Sequence, residues 1–479
     1  MFDSAELAVQ GALDAGAAYA DARVVVSRAE AINVQNQNLS HLDRSEHAGI
    51  GVRALIGSSW GFAATADLDP GAVRAAGERA AAIAKASALV PGPSMEFADV
   101  VVTQTTWETP YTEDPFAVSL SEKVDMLVNV TKTMQDVEGI GIATGKLTFW
   151  DTNKWFASSQ GHRIHQHLVE SGGGYDATAI GEHETQRRSY PQSFGQYETG
   201  GYETVRAWDY EANAQRIAEE AAALLTADEM EERETALILE GSQLALQIHE
   251  SVGHAIELDR ILGWEAAFAG TSHLELANLN THRYGSELMN ITADATLPGA
   301  LGTFGYDDEG TPGRRVDIVK DGIWVGVLSG RDSAAIAGLS PGGMVRGDGF
   351  HRLPMVRMTN VGLIPGEGTY DDIIADTEDG VYMATNRSWS IDDKRLNFQF
   401  GCEIAWEVKN GKLGKMLKNP TYTGITPRFW GSLDRLAGET DWVHWGTPNC
   451  GKGQPMQVAH TGHSAAPGRF SNVRVGVRA

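Results

Sequence analysis

Apolar positions in the first part of the chain follow a helical period and then change to a strand pattern. Residues 4–16 place Ala5, Leu7, Ala8, Ala12 and Leu13 along one helix face that stops at Gly16. The segments ARVVVSRAEAINVQ, GIGVRALIG and SWGFAAT that follow are β-type. Asp69-Pro70 then supplies an N-cap and a first-turn proline for an alanine-rich helix over 70–88. The same order recurs downstream. Ser119-x-x-Glu122 is a capping box that opens a helix with Val124, Leu127 and Val130 on one face. β-type segments bounded by Gly141, Gly161 and Gly172–Gly174 run from 140 to 204, and 208–225 is again helical.

Residues 1–226 are therefore expected to form an α/β domain of two helix–strands–helix halves. The charged stretch 227–235 marks a linker, and 236–479 a second domain. That second part opens with a short strand, ALILE, and a helix over Gln243–Asp259. It then becomes strand- and turn-rich, with hairpin pairs Asp321-Gly322 and Asn410-Gly411. The fold class expected is α+β, with a β-rich C-terminal domain built around one chemically loaded helix.

That helix reads QIHESVGHAIELDR and holds His249, Glu250 and His254. On a regular α-helix His249 and His254 would lie about 140° apart, too far to share one ion. A π-bulge absorbs one residue and restores a common face, and Gly253 offers a place for it. Glu250 then stands where the general base of a metal-activated water belongs. A catalytic zinc takes three protein ligands and keeps one position open. Cys450, expected in a Gly/Pro-rich loop around GTPNCGKG, is one candidate for the third, whereas Cys402 in NFQFGCEIAW fits a buried hydrophobe. His460 and His463 are rival third ligands, or groups behind the ligands or on the substrate side. Glu257 and Asp259 are candidate acceptors for a ligand imidazole, or solvated helix charge.

Other motifs carry less. GTPNCGKG falls short of a phosphate loop because Gly453 replaces the Ser/Thr. His165 and His167 share one strand face without a third ligand, and YDDEGTPGRR lacks a calcium-loop register; it is expected as a structured loop beside the active site.

Composition changes the picture mainly by exclusion. The 479 residues carry a net charge of −24, with 42% hydrophobic and 21% charged residues. That balance disfavours nucleic acid and anionic membranes as partners. Two cysteines imply no disulfide framework. No secretory signal and no long apolar span are visible, so a soluble cytoplasmic protein is expected.

His249-Glu250-x-x-x-His254 with the late Cys450-Gly-Lys resembles the TldD/PmbA family of metalloproteases. HESVGHAIELD, DDEGTPGRR, GRDSA, NPTYTGITPRFW and the closing GQPMQV and NVRVGV segments are similar to that family's as well. The resemblance implies a Zn2+ ion held by His249, His254 and Cys450, with Glu250 as catalytic base. It implies the metal-bearing TldD type, unfolded peptides as substrates, and a homodimer or a heterodimer with a metal-less paralogue. Two rivals stay open: a cysteine peptidase using Cys450 with His444, His460 or His463, and a non-catalytic peptide-binding partner subunit.

Overall fold

The computed structural model describes residues 1–90, 97–453 and 455–477. Among these, the first eight-stranded sheet is built from two similar halves. Its path runs Ser59–Thr65, Asn38–Ile56, Tyr19–Gln35, Ile140–Ser158, Arg163–Ile180 and Gln104–Glu108, with Thr185–Tyr190 and Gln196–Thr199 also on Arg163–Ile180. The halves join where Tyr19–Gln35 pairs antiparallel with Ile140–Ser158. Helices Phe2–Asp14 and Pro70–Ser87 flank the first half, and Leu120–Gln135 and Tyr210–Leu224 the second. The helix–strands–helix order expected from the sequence therefore occurs twice.

Alternation explains why the long strands bury one face. Along Ile140–Ser158, Ala143, Leu147 and Phe149 point inward and pack with Leu127, Val130, Ile217 and Ala221 of the second pair of helices. Leu147, Phe149 and the larger helix side chains each contribute about 1.5–3 kcal/mol when fully buried, the alanines less. The first pair of helices lies on Ala22, Val24, Ile50 and Val52. Their own contact uses small residues, since a Cβ on Gly77 would collide with the carbonyl of Ala8.

The second eight-stranded sheet closes on itself through Asp379–Ile391, Arg233–Leu239, Gly468–Val475, Thr421–Ile425 and Asn397–Lys409. Only the Arg233–Leu239 and Asp379–Ile391 neighbours in this ring run parallel. The charged stretch 227–235 connects the two sheets, and its ends are themselves paired: Asp228–Glu229 on Lys412–Lys418, and Arg233 onward within the ring. A four-stranded sheet, the short pair Val345–Arg346/Met355–Val356 and the hairpin Val443–Lys452/Gln457–Ala465 complete this part among the described residues.

In the loop at 307–309, expected beside the active site, Asp307 accepts from the Glu309, Thr311 and Val345 N–H groups, while Asp308 and Glu309 face the N-terminal sheet. Asp308 pairs with Arg23 at 2.6 Å and also with Lys154, while Glu309 meets Arg53 at 3.0 Å. Cations buried on the sheet needed partners, and this loop supplies them. His167 meets Asp151 at 2.8 Å and His165 stacks on Trp155, so that histidine pair stays a strand-face feature.

Candidate metal centre

Strand Arg233–Leu239 leads into Glu240, whose carboxylate accepts from the Gln243 N–H at 3.3 Å and caps the next helix. Every residue of that helix, Gly241–Ile248, is buried. Polar side chains tie it to the closed sheet: Gln243 donates to the Tyr422 hydroxyl at 2.9 Å, which donates to Gln247 at 3.0 Å. From His249 to Gly253 the helix widens to π geometry, and the His254 N–H reaches back to the His249 carbonyl at 3.2 Å. The extra residue between the histidines is absorbed there.

Gly253 serves this turn differently from the sequence expectation. Its φ is not among the positive values, so no special backbone freedom is used. A Cβ at this position would instead overlap the sulfur of Met358. Gly253→Val should therefore cost about 1–3 kcal/mol through overpacking. Thermal unfolding of the variant checks this; an unchanged Tm would mean that Met358 yields freely.

The turn brings His249 and His254 together with Cys450. All three are buried, and one ligand atom from each lies within 4.8 Å of the others. The Cys450 Sγ is 3.8 Å from His254 Nε2. Cys450 sits in strand Val443–Lys452 rather than in a loop, just after a register break between Thr447 and Cys450. Pro448 falls inside that break, where it has no N–H to give the ladder.

Charge and burial tune these donors. Burial holds both imidazoles below the usual histidine pKa, which keeps them neutral. Burial would push the Cys450 thiol up, but the nearby Arg357 guanidinium opposes it, and the thiol lies below its ordinary value. Glu257 accepts from His254 Nδ1 at 3.0 Å, so the proton sits there and Nε2 is left bare toward Cys450. Burial would raise Glu257, yet Lys452 and His254 hold it well below the usual carboxylate range. Asp259, named beside Glu257 from sequence, does not reach a ligand imidazole; both its oxygens accept from Lys452 at 2.8 Å.

The two late histidines part company. His463 Nε2 lies 2.7 Å from His249 Nδ1, directly behind the cluster. His460 meets Glu170 at 2.8 Å and packs on Trp150, linking the hairpin to the N-terminal sheet. His444 pairs with Ser464 at 2.6 Å.

Glu250 stands at the edge of the cluster, in a cleft of about 360 Å³ lined also by Phe194, Trp389, Arg395 and Asn449. Arg395 donates to the Glu250 Oε2 at 2.6 Å. Sequence reading missed Arg395, because its turn DDKR is 145 positions from Glu250 and carries no local signal.

Comparison with known proteins decides the family. A model described as PmbA/TldA metallopeptidase C-terminal domain matches residues 232–476, and one for PmbA/TldA metallopeptidase domain 1 matches 20–84. The chain belongs to the PmbA/TldA metallopeptidase family. A metalloprotease of Methanocaldococcus jannaschii is 25% identical over 93% of this chain and 94% of its own length. A zinc metalloprotease TldD homolog of Saccharolobus solfataricus is 25% identical over 47% of this chain and 48% of its own. The crystal structure of TldE from Thermococcus kodakarensis shares the fold, with a TM-score of 0.70 at 16% identity over 98% of this chain and 99% of that one. The TldD/PmbA resemblance and the mixed α+β fold read from the sequence both hold. Among the described residues, His249, His254 and Cys450 are the one group of donors placed so that they could hold a metal ion. None of its described helices is long and apolar enough to cross a membrane.

Proposed function

We propose that this metallopeptidase hydrolyses unfolded or short peptides, with zinc held by His249, His254 and Cys450 and with Glu250 as general base. The observation that carries this is the convergence of three donor atoms within 4.8 Å at the floor of a cleft that Glu250 also lines. Two neutral imidazoles and a thiol of lowered pKa form a donor set suited to zinc. Bound zinc supplies Lewis acidity, polarising the scissile carbonyl and acidifying a water.

The chain's own residues do the rest. Glu250 takes the proton from the attacking water and returns it to the leaving amine. Arg395 anchors one of its oxygens and holds the carboxylate in the cleft. Glu257 fixes the His254 ring. Phe194 and Trp389, packed edge to face at 5.8 Å, give the cleft an apolar wall.

An extended substrate fits the strand geometry. Residues 380–383 of Asp379–Ile391 pair on both sides, whereas 386–391 pair with Asn397–Lys409 alone. The open edge at Trp389–Ile391 lies on the cleft and can bond a peptide backbone with little regard to side chains. A folded protein must first unfold locally to offer such a segment. The partner we propose is another copy or a metal-less paralogue of the same fold, as the family resemblance implies.

A strong chelator should abolish peptide cleavage, and zinc should restore it. Activity that resists the chelator would favour the cysteine-peptidase reading. That reading gains nothing from His444, His460 or His463, which bond Ser464, Glu170 and His249. Failure to cleave any unfolded peptide in the zinc-loaded state would favour the binding-subunit reading.

A further inference from the structure

We propose that His463 is a positioning residue for His249, holding it in the tautomer whose Nε2 carries the free lone pair. The inference rests on His249 being a zinc ligand, as proposed above. The Val361 carbonyl can only accept, so His463 Nδ1, 2.9 Å away, carries a proton. A neutral imidazole has one N–H, so His463 Nε2 presents a lone pair. His249 Nδ1, 2.7 Å from it, donates to that lone pair. With its proton fixed on Nδ1, His249 has only Nε2 left to bind a metal.

Nothing nearby reverses the direction. The other group on His463 Nε2 is the Thr461 hydroxyl at 3.5 Å, which also faces the Thr447 carbonyl at 3.4 Å. A doubly protonated His463 would be a cation at 1% exposure, with no carboxylate bonded to it among the described residues.

The backbone makes the relay rigid. His463 lies opposite Trp445 in the hairpin whose other strand carries Cys450. A parallel bridge between Asn360 and Gly462 sets that strand against Val361. One hairpin thus supplies a ligand and steadies a second. His254 is held by a carboxylate, Glu257, whereas His249 is held by a neutral ring that adds no charge to the site.

The test uses the full chain and zinc, with dissociation constants measured by competition with a chromophoric chelator. His463→Leu removes the acceptor and should weaken zinc about 10–100-fold. His463→Gln keeps a carbonyl oxygen for His249 and should recover most of that loss, which a purely structural role would not predict. Nitrogen-15 NMR of ring-labelled histidine in the unaltered chain should show His463 protonated at Nδ1, with a bare Nε2. A His463→Leu variant that binds zinc like the unaltered chain, or a proton found on His463 Nε2, would overturn the relay. If His463→Leu does not fold, the tautomer and the Gln variant decide. His249→Ala separates the two levels. Its retention of zinc would remove the ligand assignment itself, while its loss beside a tight-binding His463→Leu would remove only the relay.

Discussion

Glu250→Gln should bind zinc as the unaltered chain does and lose about 10²–10⁴ of its peptide turnover. The substitution keeps the shape of the side chain, and its amide oxygen can still accept from Arg395, which now holds Glu250 at 2.6 Å. The amide cannot take a proton from water or return one to the leaving amine. Glu250 is outside the His249–His254–Cys450 donor group, so metal content should not follow the activity. The loss should fall on kcat, because the base acts in the transition state and not in peptide binding. Steady-state kinetics on a short peptide, alongside zinc content, checks this. Normal turnover would remove the base, and lost zinc would make Glu250 a ligand.

How much of this was legible in the chain depends on how local each feature is. Ser119 was readable as a cap, and its hydroxyl does accept from the Glu122 N–H at 3.2 Å. Asp69 was read the same way, but makes no side-chain cap bond; the helix starts at Pro70 on backbone geometry alone. The repeated helix–strands–helix order was visible because each element announces itself within a few residues. The closed sheet was not. Its parallel contact joins Ala236–Leu239 to Gly380–Met383, a register that no local period encodes.

The site divides in the same way. The His249–His254 spacing demanded a widened turn, and the helix provides one. Glycine's part in it was misread, because the need comes from Met358, a residue distant in sequence. Glu257 and Asp259 looked equivalent, yet both Asp259 oxygens accept from the buried Lys452, whereas Glu257, also paired with Lys452 at 3.3 Å, is the one that accepts from His254. The part played by His463 depends on hairpin register and on Val361, so HTGH alone could not disclose it.

Cys450→Ala should lower zinc affinity by more than the about 10–100-fold that an outer-shell partner costs, since it removes a donor. It should also leave Arg357, which now bonds the Cys450 backbone carbonyl, in place. Cys402 is the internal control. It is fully buried in Asn397–Lys409, opposite Asn386, and burial pushes its thiol well up, as for an inert core residue. Cys402→Ala should change core packing and nothing at the metal.

The most direct measurement is therefore the zinc content of the unaltered chain, Cys450→Ala and Cys402→Ala, each equilibrated in the same chelator-buffered zinc solution. The proposed centre predicts a full complement in the first and third and almost none in the second. Equal zinc in all three would contradict it.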